Sequence, residues 1–202
     1  MFAVLIVLIA ASCKKYPVDE PIIPKKPDPV DSAYLHHFIG TVGTVNFTRY
    51  EGLNSYVNTT SNAKTTATPP DSPTVIFSST IGRPGNNPNS LVITKGILKH
   101  GPPSPTDNEF ETFFKTGDYF YTSAFNPEGI TIEWTDESGK KWSTLNGDQS
   151  GSVFTITEVK KKYVSGVTVL DVRMGFTCAV YDINGTSISI TSSEYYGAFK
   201  NN

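Results

Sequence analysis

Six apolar residues at every second position, Leu170, Val172, Met174, Phe176, Cys178 and Val180, constrain this chain more than any other feature. A period of two puts them all on one face of a β-strand, whereas a helix would scatter them around its axis. The strand runs into Asp182-Ile183-Asn184-Gly185, where two turns compete. A two-residue Asn184-Gly185 turn sets Ile188 opposite Tyr181 and Ile190 opposite Ala179, on the outer face. A type I turn over Asp182 to Gly185, with Gly185 left-handed, sets Ile188 opposite Val180 and Ile190 opposite Cys178. A slip of one residue turns a strand's apolar face to water, so burial selects the second register. Cys178 is then a buried free thiol that packs as a small hydrophobe.

The same turn chemistry appears upstream, where residues 129–158 read as two adjacent hairpins. Ile130, Ile132 and Trp134 point one way, while Thr131, Glu133 and Thr135 point the other. Asp136-Glu137-Ser138-Gly139 is again a type I turn with a left-handed glycine, and it pairs Trp134 with Trp142 and Ile132 with Thr144. Both tryptophans share a face with two isoleucines, which predicts that they pack inside. The second hairpin is expected to pass through Asn146-Gly147 into Ser152–Thr157.

Other segments fit an all-β domain. Residues 41–50, 53–60, 74–81 and 91–99 read as strands, residues 61–73 as loop and Gly82–Pro88 as a turn cluster. Tyr119 to Phe125 reads as a strand covered on both faces, and Lys160-Lys161-Lys162 as a solvated loop. The one helix, expected over residues 107–116, opens with the capping box Thr106-Asp-Asn-Glu109. It carries Phe110, Phe113 and Phe114 on one face and ends at Gly117. So short a helix is stable only when docked, here by its phenylalanines over an open end of the β structure. About ten strands and one short helix make an antiparallel β-sandwich or a closed barrel. The 12 Phe and 10 Tyr supply the core volume that scarce Leu and Ala do not.

The N-terminus gives an address. Residues 1–12 hold an apolar run too short to span a bilayer but of signal-peptide length. It ends Ala10-Ala11-Ser12-Cys13, which resembles the lipobox of bacterial lipoproteins, although Ala10 stands where leucine is usual. That resemblance implies cleavage before Cys13 and lipidation of its thiol. Each buried methylene contributes ~0.8 kcal/mol to anchoring, and more than one chain makes it stable. Residues 13–33, with Pro17, Pro21, Pro24, Pro27 and Pro29, form a tether of polyproline character that could reach ~60 Å. Residues 34–202 are then a single β domain. Asn46, Asn58 and Asn184 open Asn-x-Ser/Thr sequons, incidental in a bacterial lipoprotein.

Chemistry is thinly marked. A net charge of -2 gives nucleic acid nothing to hold. His36, His37 and His100 lack metal-site spacing, no calcium loop or nucleophile elbow is present, and no cofactor is expected. Glu109, Glu111, Glu133, Asp136, Asp148 and Asp171 are the carboxylates from which a glycosidase pair would be drawn, but nothing marks one as raised in pKa. Tyr119, Tyr121, Tyr181, Tyr195 and Tyr196 are the candidates for an exposed ligand platform.

Three stretches, Ile130 to Trp142, Gly147 to Ile156 and Phe176 to Gly185, together resemble small β-sandwich lipoproteins of Bacteroidetes-type bacteria. Asp31-Ser32-Ala33 also resembles the short motif O-glycosylated in exported proteins of such bacteria. The resemblance implies an outer-membrane, lipid-anchored protein facing the periplasm or the cell surface, and brings no catalytic residues. The expected function is a non-enzymatic binding or structural module of the envelope, with a glycan or an envelope protein as partner. The alternative is a carbohydrate-binding or polysaccharide-hydrolysing surface lipoprotein.

Overall fold

A computed structural model describes residues 36–68, 71–85, 88–101, 103–123 and 125–202. The expected signal peptide, Cys13 and the expected proline-rich tether lie outside the described residues. In chain order the elements are β1 (His37–Val42), β2 (Val45–Tyr50), β3 (Val57–Thr65), β4 (Thr74–Gly82), β5 (Ser90–Lys99) and α1 (Asp107–Phe113). There follow β6 (Gly117–Asp118), β7 (Ile130–Thr135), β8 (Lys141–Ser143), a 3-10 turn (Thr144–Asn146), β9 (Val153–Val164), β10 (Val167–Tyr181) and β11 (Ser187–Asn201). The eleven strands form one curled, antiparallel sheet, a half-barrel, in the order β2-β1-β11-β10-β8-β7-β5-β4-β3. β9 pairs with β10 and with β6.

The long β10–β11 hairpin is the spine. Cys178 pairs with Ile190 and Val180 with Ile188, as burial requires. Gly185 is left-handed, and Asp182 holds the turn by accepting from the amides of Asn184 and Thr186. Beyond Ile190 an extra residue enters β11, and Ser192 takes a positive φ of 49°. A bulge of this kind reverses side-chain parity. The buried face therefore passes from Ile188 and Ile190 to Ser193, Tyr195 and Phe199.

The curl returns on itself through side chains. Asn58 of β3 accepts from the backbone amide of Ala198 in β11 at 2.9 Å. Its own amide group donates towards Ser79 Oγ, the Thr80 carbonyl and the Tyr195 hydroxyl. Further along the same strand, Asn62 donates to the carbonyls of Lys200 and Asn202. Inside lies one aromatic-rich core. Trp134 and Trp142 face each other across β7 and β8, both buried, and Phe47 meets Trp134 edge-on at 4.9 Å. Fully burying a phenylalanine side chain contributes ~1.5–3 kcal/mol.

Several expectations are corrected. Gly43, at φ +62°, splits residues 41–50 into the β1–β2 hairpin, and β3 extends through residues 61–65. The second hairpin of residues 129–158 does not form. Gly147 is extended rather than turned, and it lies directly against the Tyr181 ring, which leaves no room for a Cβ there. Ile132 meets Thr144 through its hydroxyl, not by strand pairing. Helix α1 stops at Phe113, since the Phe114 amide tightens onto the Glu111 carbonyl. The three lysines 160–162 lie in β9, paired with Glu158, Glu111 and Asp171 respectively.

Candidate functional site

The site is built around α1 and the chain that follows it. Thr106 and Glu109 form the capping box, each accepting from the other's backbone amide. Phe110 and Phe114 seat the helix on Phe77 and Phe199, with ring centroids 4.5–5.8 Å apart. Phe113 packs beside them, half-buried, with its ring 6.1 Å from that of Phe77, while Asn108 and Thr112 are left exposed over the end of the sheet.

The stretch from Tyr119, read from sequence as a strand to Phe125, does not form that strand in its described residues. They cross the sheet as a pinned loop. Thr122 donates to the Ile130 carbonyl, Ile130 to Phe120, and Ser123 and Asn126 exchange backbone bonds. The loop passes directly over Gly96, whose amide donates to the Gly129 carbonyl at 2.8 Å. A Cβ on Gly96 would stand 2.5 Å from the Pro127 carbonyl oxygen, so only glycine admits the crossing. With its backbone fixed on both sides, the loop holds Phe120 out in solvent at 80 % exposure.

Phe120 divides two hollows. One, of about 510 Å³, lies on the α1 side and is lined by Lys95, Phe113, Asp118, Tyr119 and Glu128. The other, of about 520 Å³, lies towards β9 and is lined by Tyr119, Tyr121, Ser123, Gln149 and Ser152. Tyr119, Phe120 and Asn126 belong to both.

At the wall of the first hollow stands Lys95, only 3 % exposed. It continues the inward face of Leu91 and Ile93, opposite Phe77, just before β5 bulges. Its Nζ lies 4.0 Å from the Phe113 ring centroid and 4.2 Å from that of Tyr119. Among the described residues it has no hydrogen-bond or ion-pair partner. Burial pushes its pKa down to about 8, against an opposing pull from Glu128.

Of the five predicted platform tyrosines, Tyr119 and Tyr121 come together at the groove. Tyr119 donates to the Lys115 carbonyl and burial pushes its pKa up. Tyr121 is 8 % exposed, with its hydroxyl directed to the Val153 and Thr177 carbonyls. The other three are elsewhere. Tyr195 is wholly buried, bonded to Ser79 and Asn58 in the core. Tyr196 is covered by His36, His37 and the Arg173 guanidinium. Tyr181 rests on Gly147 and donates to the Asp148 carbonyl. Neither Tyr195 nor Tyr196 can present a face to a ligand. The tryptophans are likewise interior.

The carboxylates are mostly engaged. Thr106 amide and hydroxyl bonds hold Glu109 below its usual range, and Ser150 does the same for Asp148. Burial raises Asp136, but bonds from Ser138, Trp142 and Lys140 outweigh it. Burial likewise raises Asp171, but His36 and Lys162 bring it below the ordinary value. Glu111 pairs with Lys161 and Glu133 is exposed opposite Ser143. His36 bridges Glu51 at 2.5 Å and Asp171 at 2.9 Å, His37 binds Glu194, and His100 meets the Gly101 carbonyl. No group of His, Cys, Asp and Glu among the described residues has the makings of a metal site.

No protein-family model matches this chain, and no curated protein or solved structure is significantly similar to it.

Sequence reasoning missed Lys95 and Phe120. Lys95 was signalled by its parity with Leu91 and Ile93. Phe120 carried no signal, because its exposure follows from a loop pinned over Gly96 by contacts distant in sequence.

Proposed function

We propose that this is a non-enzymatic, lipid-anchored protein of the bacterial outer membrane, held through Cys13, which binds a glycan in the groove that Phe120 divides. The observation that carries the reading is Phe120, an exposed aromatic on a backbone-bonded loop, with a hollow on either side. A sugar offers an apolar ring face and a rim of hydroxyls. Phe120 suits the first, and Asn126, Gln149 and Ser152 suit the second. An exposed aromatic between concavities marks a binding surface better than a buried pair does.

Binding is favoured over polysaccharide hydrolysis by the state of the carboxyls. Among the described residues, every carboxyl whose pKa is displaced is displaced downward, whereas a glycosidase needs a general acid held high.

A thermal-shift screen against oligosaccharides and cell-wall fragments tests the reading. A ligand at a hundred times its dissociation constant adds ~2.7 kcal/mol, several degrees for a chain of this size. A hit that Phe120→Ala abolishes is the expected result. A hit that Phe120→Ala leaves intact, or that is consumed, rejects it. For the anchor, Cys13→Ala is expected to move the protein from the membrane fraction to the soluble one.

A further inference from the structure

We infer that the hollow between α1 and the 119–129 loop recognises a carboxylate-bearing sugar, a uronic acid, through the ammonium group of Lys95. The inference rests on the glycan-binding reading above and names the class of glycan.

Buried charges are normally paired, because removing one from water is costly without a compensating partner. Lys95 is 3 % exposed, yet among the described residues its three donors have no acceptor. Its ammonium lies over the rings of Phe113 and Tyr119, 4.0 and 4.2 Å from their centroids, and feels the field of Glu128. An ammonium so held opens onto the hollow as a site for an anionic oxygen. The same two rings, with Phe120, offer apolar faces against which a sugar ring can lie.

The remaining polar groups sort by availability. Glu109 is committed to the helix cap, and Asp118 accepts from the Thr155 hydroxyl at 2.6 Å. The side-chain amides of Asn108 and Asn126 make no hydrogen bond among the described residues, and both line the hollow. They are placed to meet sugar hydroxyls. Glu128 acts on Lys95 through its field, and it would compete with an acidic ligand.

The groups facing Lys95 are Glu109, Lys115 and Asp118 from α1 and the chain after it, and Tyr119 and Glu128 from the loop. Burial pushes Tyr119 up, away from the neutral range. Lys95, pushed down to about 8, is the group that changes charge between pH 7 and 9. Its ammonium fraction falls about tenfold across that interval, while a sugar carboxylate stays ionised throughout. Affinity for a uronate therefore falls about tenfold from pH 7 to pH 9, and affinity for a neutral sugar does not.

The test is titration calorimetry of the full chain with galacturonate and glucuronate trisaccharides beside the matching galactose and glucose trisaccharides. The expected result is at least tenfold tighter binding of a uronate at pH 7, an advantage lost at pH 9. Lys95→Met, which keeps the packing volume, is expected to erase the preference without unfolding the protein, and Glu128→Gln to strengthen uronate binding. In a companion NMR titration, the Lys95 side chain is expected to hold its proton to higher pH when a uronate is bound. Equal affinity for acidic and neutral sugars, or a uronate preference that survives Lys95→Met, overturns the inference and leaves glycan binding standing. Silence from every sugar overturns both.

Discussion

Replacing Asn58 with alanine tests how the sheet is held in its curl. Asn58 is the one residue of β3 whose side chain bonds to a backbone group in the middle of β11, with 2.9 Å to the Ala198 amide. Ala198 is 7 % exposed, so its N–H has no ready substitute in water. Orphaning a buried amide costs ~1–3 kcal/mol, and each further net hydrogen bond lost costs ~1 kcal/mol. The donor side of Asn58 is divided among Ser79, Thr80 and Tyr195 at 3.0–3.1 Å. Tyr195 keeps its 2.8 Å bond to Ser79, which limits the loss on that side. The total comes to ~3 kcal/mol, or ~6–12 °C in melting temperature for a domain of this size. Calorimetric melting of Asn58→Ala beside Asn62→Ala measures it. Asn62 works in an exposed stretch of the same seam and is expected to cost under ~1 kcal/mol. An Asn58→Ala loss no larger than that of Asn62→Ala would refute closure through side chains.

Gly96→Ala should lower the melting temperature far more than Gly175→Ala. At Gly96 the new methyl meets backbone at 2.5 Å, whereas at Gly175 the nearest atom is 3.8 Å away, and thermal melts compare the two. The Asp171 carboxyl sits below its ordinary value, so its contribution is present at neutral pH and disappears as pH falls through the acid range. Asp171→Asn is accordingly expected to flatten the acid limb of a stability–pH curve measured by urea unfolding. Burial pushes the Cys178 thiol up to about 12, so a thiol reagent should leave it unmodified in the native protein and label it fully in denaturant.

Where the pattern was local, the sequence was readable. The Asp136 and Asp182 turns, both registers they impose, the capping box and the three docked phenylalanines all follow from residues within a few positions of each other. Where long-range contacts decided, it was not. Residues 144–152 looked like a hairpin, but they pack instead on the neighbouring β10, whose Tyr181, distant in sequence, lays its ring against Gly147. Tyr195 and Tyr196 alternate as any half-exposed strand would. The bulge at Ser192 turns Tyr195 into the core, and His36 and His37, at the start of β1, cover Tyr196. The groove itself depends on Gly96 lying beneath a loop some 30 residues later, a proximity that no local period encodes.

The central claim is that ligand enters at Phe120. It is tested most directly by titrating an oligosaccharide hit into isotope-labelled protein and mapping the amide shifts. The account predicts changes concentrated at Tyr119, Phe120, Asn126 and Gln149. Changes centred instead on the Tyr196 and His36 face, with the loop silent, would contradict it.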